Sequence, residues 1–249
     1  MEHWLSRSEW LIGKDGLEKL KKSTVLVAGL GGVGSFAAEM LSRAGIGHLI
    51  LADNDVIAPT NRNRQLLALI GTEGKLKTEV MAGRIRQINP DIVLDVIDRY
   101  LEEKTIPDLL DGYRPDYVVD AIDTLSPKIA LICYLMERRI PLVSAMGAGA
   151  RLDATAVRVD DISRSYNCPL AFMLRKRLRK LGIHKGFKAV FSTELPYKEA
   201  IVPYEGKNKK SQVGTISYLP AVFGCICSQT VLCDLLEIRI FEDSLSGKS

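Results

Sequence analysis

Cysteine is scarce in this 249-residue chain, and what there is suits no cross-linking scheme. The five residues, Cys133, Cys168, Cys225, Cys227 and Cys233, are odd in number and include no C-x-x-C pair. That excludes a disulfide framework and a structural zinc ribbon, and it points to a reducing compartment. No basic segment followed by an apolar run opens the chain, because residues 1–7 carry Glu2 and Trp4 and lead into a polar segment. A secretory signal is therefore not expected, and a cytoplasmic location is. Internal repeats and low-complexity tracts are lacking, and the aromatic residues, 6% of the chain, do not gather into an RNA-binding module. Charge of one sign is lacking too. The 34 Lys and Arg against 30 Asp and Glu leave a net charge of +4, which permits an anionic partner without requiring one. One apolar stretch, residues 216–236, is long enough to cross a bilayer, but Pro220, Gly224, Ser228, Gln229 and Asp234 interrupt it. It reads as a buried or interface helix beginning near Pro220, and no membrane span is expected.

What is present is an ordinary globular composition, 47% hydrophobic and 26% charged, with enough residues for one large domain. Its clearest feature is Val25-Leu-Val-Ala-Gly29-Leu-Gly31-Gly32-Val-Gly34-Ser35, a buried strand that breaks into a glycine loop and then a helix over 35–43. In such a loop Gly29 makes the tight turn, Gly31 and Gly32 let backbone N–H groups approach a phosphate, and Gly34 allows close helix packing. The helix then points its positive end at the bound anion. Asp53 ends the next strand, 48–52, about twenty residues on, as the dinucleotide-binding fold expects.

Strands and helices go on alternating: a helix over 75–88, a strand over 92–97, a short helix over 106–110, a strand over 117–121, a helix from Pro127 to Arg138 capped by Ser126, and a strand over 141–145. This pattern predicts an α/β, doubly wound, mainly parallel Rossmann-like sheet. Residues 151–159 look like strand, 170–181 like a helix with Leu170, Leu174, Leu178 and Leu181 on one face, and 183–210 like a lysine-bearing loop segment. One domain is expected, with a nucleotide-binding half over 20–147 and a C-terminal extension, the substrate and dimer half, over 148–249. Ligands of open sheets bind beyond the carboxyl ends of the strands, where Asp53, Asp120 and Asp123 fall.

A dinucleotide-dependent oxidoreductase would need little beyond the glycine loop and Asp53. Asn61, Arg64 and Lys77 lie between the second strand and the next helix, and Asp123 lies beyond another strand end. Cations and a carboxylate around one nucleotide fit ATP with Mg2+, arginine and lysine taking phosphate charge and aspartate the metal. Singly, each basic residue reads as surface and Asp120 or Asp123 as a helix cap. The constellation favours the triphosphate.

In order and spacing, Gly29–Gly34, Asp53-Asn-Asp55, Thr60-Asn61-Arg-Asn-Arg64-Gln65, Gly74-Lys-Leu-Lys77 and Asp120-Ala-Ile-Asp123 resemble the ubiquitin-activating-like adenylating superfamily, to which the activators of sulfur carriers also belong. Arg84-Ile-Arg-Gln-Ile-Asn-Pro90, Pro127-Lys128 and Val190-Phe-Ser-Thr-Glu194 resemble its branch of tRNA threonylcarbamoyladenosine dehydratases. The resemblance implies that Asp53 holds the ATP ribose, that Asn61 and Arg64 contact phosphates, that Lys77 neutralises them, and that Asp123 acts through Mg2+, with Asp120 beside it in the nucleotide site. It further implies a homodimer in which Arg7 enters the partner subunit's site, and a cysteine desulfurase or sulfur acceptor as a further partner. The paired C-x-x-C motifs of the sulfur-carrier activators are missing. So is an evident nucleophile, since Cys168 has Asn167 and Pro169 as neighbours and no base, and reads as a buried thiol; Cys225, Cys227 and Cys233 read as packing residues of the last helix.

An adenylated carboxylate needs no enzyme nucleophile when the attacking group sits on the same substrate. The resemblance thus implies ATP-dependent cyclisation of threonylcarbamoyladenosine in tRNA. A basic segment suits such a substrate: Arg175, Lys176, Arg179 and Lys180 on the polar face of the 170–181 helix, followed by Lys185, Lys188, Lys207, Lys209 and Lys210. A solvated helix face is the plain alternative. Two other functions stay open, adenylation of the C-terminal glycine of a ubiquitin-like sulfur carrier and a non-catalytic nucleotide sensor or sulfur-acceptor scaffold.

Overall fold

A computed structural model describes residues 3–206 and 209–240, with the side chains of 204–211 outside the description. Its elements run α1 (Ser6–Lys22), β1 (Thr24–Ala28), α2 (Gly34–Arg43), β2 (His48–Ala52), α3 (Lys77–Ile88), β3 (Val93–Ile97), α4 (Ile106–Leu110), β4 (Tyr117–Asp120), α5 (Leu125–Glu137), β5 (Leu142–Ala145), β6 (Val157–Asp161), α6 (Pro169–Lys180), β7 (Lys188–Ser192), β8 (Ile201–Gly206), β9 (Lys209–Val213) and α7 (Tyr218–Leu235). Seven strands form one sheet in the order β3-β2-β1-β4-β5-β7-β6, and β8 and β9 form a separate antiparallel ribbon. Only the edge pair β6–β7 is antiparallel in the large sheet. The sheet passes straight through the expected 147/148 division, because β7 pairs with β5.

The central strands β1, β2, β4 and β5 are buried almost throughout, which is why they read as continuous apolar runs rather than alternations. Val25 and Val27 face one layer, with α2, α3 and α7; Leu26 and Ala28 face the other, with α4, α5 and α6. Helices thus cover both faces. In register, Ala28 stands between Ala52 and Asp120, and Asp120 beside Ser144, so these strands end along a common carboxyl edge.

Three expectations are corrected here. Residues 6–22, read as a polar segment, form α1, kinked at Gly13, which buries Leu17 and Leu20 late in its length. Residues 183–210, read as loop, contain β7 and β8. Leu181 lies past the end of α6 and is 59% exposed, so the helix is anchored by Leu174 and Leu178, with Leu170 partly buried. In α7, Tyr218–Leu235, length and composition would allow a membrane crossing, yet half of the span is buried inside the fold. There Cys227 and Cys233 are packed, whereas Cys225 is exposed.

Candidate active site

The glycine loop leaves β1 with Gly29 in the left-handed region at φ 91°. A Cβ at Gly34 would stand 1.7 Å from the Gly29 carbonyl oxygen, so α2 can start against the turn only without a side chain there. Gly32 packs on Pro220 of α7, while Gly31 is open apart from the Gln65 amide, 3.8 Å from where its Cβ would be. Ser35 closes the loop by donating to the Gly31 carbonyl, 2.7 Å.

Asp53 follows β2, and its carboxylate already organises backbone: Oδ2 accepts from Leu30 N–H at 2.6 Å and Oδ1 from Asp55 N–H at 2.8 Å. Burial pushes the Asp53 carboxyl up, opposed by the nearby Lys77 charge and these two N–H donors. Lys77, in the first turn of α3, is itself buried; its Nζ donates to Asp55 Oδ2 at 2.7 Å and lies 3.7 Å from Asp53 Oδ1. The lysine charge is therefore held by two carboxylates beside the loop.

The connector between β2 and α3 lies over the glycine loop, for the Arg64 carbonyl and Cγ are near neighbours of Gly32. Asn61 Oδ1 accepts from Ala58 N–H and shapes its own turn. Arg64 Nη1 donates to the Thr60 carbonyl and to Asn63 Oδ1, and Asn63 Nδ2 reaches the Thr215 carbonyl at 2.9 Å. The arginine is thus half-exposed and, among the described residues, held by neutral acceptors. Beside it, Gln65 Oε1 is buried with no hydrogen-bond partner among the described residues. The other end of that amide, Nε2, is the atom near Gly31.

At the next strand end the two aspartates part company. Asp120 is fully buried, pairs with fully buried Lys128 at 2.8 Å and accepts from Ser144 Oγ at 2.7 Å. Its carboxylate, expected in the nucleotide site, is thus engaged by an internal cation. Lys128 Nζ also donates to the Ile122 carbonyl at 3.0 Å, and Asp120 Oδ1 accepts from Ile122 N–H at 3.2 Å. The pair clamps the turn that carries exposed Asp123, while Ala121 in the same turn touches Gly29 and Gly34. Neither Lys128 nor Gln65 had a role in the sequence reading. Their motif positions were visible, but burial was not.

Arg7 stands apart. Leu5, two residues earlier, packs on Gly45, just before β2, at the amino edge of the sheet, opposite the loop. On α6, Lys176, Arg179 and Lys180 are exposed. Arg175 is not: its guanidinium is turned onto the Ser165 carbonyl and hydroxyl, which corrects its expected solvent-facing place. Lys185 is exposed, and Lys188 is drawn to Asp234. Lys207 lies outside the described residues, as do the side chains of Lys209 and Lys210. Cys168 is buried against Gly147, and burial pushes the Cys227 thiol up to about 12. No cluster of three or more His, Cys, Asp or Glu that could hold a metal occurs among the described residues.

The profile of the ThiF family matches residues 5–245. The chain is 42% identical over 245 residues to the tRNA threonylcarbamoyladenosine dehydratase of Bacillus subtilis (strain 168), covering 95% of this chain and 96% of that one. It is 33% identical to the molybdopterin-synthase adenylyltransferase of Escherichia coli (strain K12), over 62% of this chain and 61% of that one. Among solved structures, E. coli tRNA N6-threonylcarbamoyladenosine dehydratase, TcdA, in complex with ATP superposes with a TM-score of 0.86 at 36% identity, covering 94% of this chain and 93% of that one. With the doubly wound sheet and the glycine loop, a match across nearly its whole length makes this chain a member of the ThiF family.

Proposed function

We propose that the protein is an ATP-dependent tRNA threonylcarbamoyladenosine dehydratase. The observation that carries this reading is the near end-to-end similarity to the B. subtilis dehydratase and to the TcdA fold solved with ATP. The loop from Gly29 to Gly34 would cradle phosphates, with Gly31 open to them, and Asp53 would orient the ribose. Asn61 and half-exposed Arg64 would meet the phosphates, and Lys77 would offset their charge. Asp123 would hold Mg2+ jointly with the phosphates, the pattern expected of an ion that keeps its waters and takes few protein ligands. That ion, when bound, would stabilise charge on the departing pyrophosphate.

In the first step the threonyl carboxylate oxygen attacks the α-phosphorus of ATP, forming an acyl-adenylate as pyrophosphate leaves. In the second, a nucleophilic atom of the same nucleoside attacks the acyl carbon, the ring closes, AMP leaves with the former carboxylate oxygen, and a proton is released. Intramolecular attack makes an enzyme thiol unnecessary, and buried Cys168 agrees with that. Lys176, Arg179 and Lys180 would draw the tRNA backbone. Arg7, at the amino edge of its own subunit, would serve the site of a second copy in a homodimer.

Pyrophosphate release from ATP and Mg2+ tests the reading. It should require tRNA bearing threonylcarbamoyladenosine. Release driven instead by a ubiquitin-like carrier with a C-terminal glycine, or no release with either, would overturn it.

A further inference from the structure

Arg151 is a buried cation with no anion beside it among the described residues. It is 3% exposed and donates only to backbone carbonyls: Nε to Glu194 at 3.1 Å, Nη1 to Gly147 at 2.8 Å and Gly149 at 3.0 Å, and Nη2 to Asn167 at 2.6 Å. No carboxylate pairs with it among the described residues. The acid nearest in the hydrogen-bond network, Glu194, spends its carboxylate on the N–H groups of Leu152 and Asp153. Burying a guanidinium this way is costly, and carbonyl dipoles offset only part of the charge.

The four carbonyls belong to three loops at one edge. Residues 147–151 follow β5, Glu194 follows β7, which runs parallel to β5, and Asn167 precedes α6. This is the carboxyl edge that also carries the glycine loop and the Asp123 turn. The knot reaches the phosphate side as well: a Cβ on Gly149 would collide with Val213 and Thr215, Ala150 N–H donates to the Gly214 carbonyl, and Asn63 donates from Nδ2 to the Thr215 carbonyl while its Oδ1 accepts from Arg64 Nη1. Ala150 and Asn167 hold left-handed φ of 57° and 53°, conformations that such a knot imposes.

We propose that Arg151 is the positioning residue of the substrate half of the site. It fixes three loops around the incoming nucleoside, and its unneutralised charge favours an acidic group there, the carboxylate to be adenylated. This rests on the function proposed above. Arginine suits the task because its planar fork reaches four acceptors at once, which a lysine ammonium cannot.

The test is steady-state turnover of Arg151→Lys with ATP and threonylcarbamoyl-bearing tRNA, each varied in turn. The KM for tRNA should rise about tenfold or more while the KM for ATP stays within about twofold, a split that general loosening of the fold would not produce. Should Arg151→Lys not fold, Asn167→Gly serves. Glycine keeps the φ of 53° and the carbonyl used by Arg151 but loses the Asn167 Nδ2 bond to Thr193, 2.7 Å, so the same KM should rise several-fold. Unchanged tRNA KM, or tRNA and ATP constants moving together, would overturn the role of Arg151. Failure of the unmodified enzyme to turn over this tRNA would overturn the functional reading and the role with it.

Discussion

Lys128 is among the largest fully buried side chains of the described residues, and its ammonium holds Asp120 and the Ile122 carbonyl together under the Asp123 turn. Breaking a buried ion pair from one side leaves an uncompensated charge, which costs about 3–5 kcal/mol. Lys128→Met should therefore lose about that much in denaturant unfolding, and turnover should fall as the Asp123 turn is released. Adding Asp120→Asn removes the stranded charge and keeps an acceptor for Ser144, so the double variant should recover part of the loss. A double-mutant cycle with strictly additive effects would contradict the clamp. None of this was legible beforehand, since a lysine in the first turn of a helix ordinarily reads as surface. The Asp120 pairing was hidden for the same reason, since a strand-end aspartate reads as facing a ligand and the buried cation beneath it leaves no sequence signal.

At the scale of elements, β1, β2, β4 and β5 were legible because strands buried on both faces are written as apolar runs. The glycine loop was legible because steric limits leave Gly34 no substitute. α1 was not, since its buried residues cluster near its end and Gly13 kinks it; β7 was hidden because a five-residue strand amid lysines carries no period of its own. Between α2 and α3, buried Glu39 accepts from Arg84 Nε at 2.7 Å and pairs with Arg43 at 2.8 Å. Burial pushes the Glu39 carboxyl up, but the two arginines together outweigh it and hold it below the usual range. A carboxyl lowered in the folded state contributes stability that is present above its unfolded pKa of about 4.3 and lost as pH falls through the folded value. Glu39→Gln should lower stability at neutral pH and flatten the decline that sets in as pH falls below about 4.3, read from unfolding midpoints against pH. An unaltered acid limb would contradict this pairing. On α6, replacing Lys176, Arg179 and Lys180 by Gln should weaken tRNA binding and reduce its salt slope by up to about 3, one for each phosphate no longer neutralised, with ATP affinity unchanged. If the slope stays the same, those charges are a solvated face.

At the scale of the whole molecule, one sheet gathers along its carboxyl edge a glycine loop from β1, a carboxylate after β2, a clamped turn after β4, and the Arg151 knot after β5 and β7. The parallel order placed the first three within reach of sequence reasoning, though not the clamp beneath the turn. The knot depends on β7, which the sequence did not reveal, so the substrate half was the less legible one. Activation of a carboxylate at this edge, followed by attack from within the same nucleoside, demands a fixed stoichiometry. The direct measurement is a joint count, by nucleoside mass spectrometry and nucleotide analysis, of cyclised nucleoside, AMP and pyrophosphate formed from ATP and threonylcarbamoyl-bearing tRNA. One AMP and one pyrophosphate should appear per ring closed, with Asp123→Asn forming none of the three. Ring closure without ATP consumption, or ATP cleavage to ADP and phosphate, would contradict it.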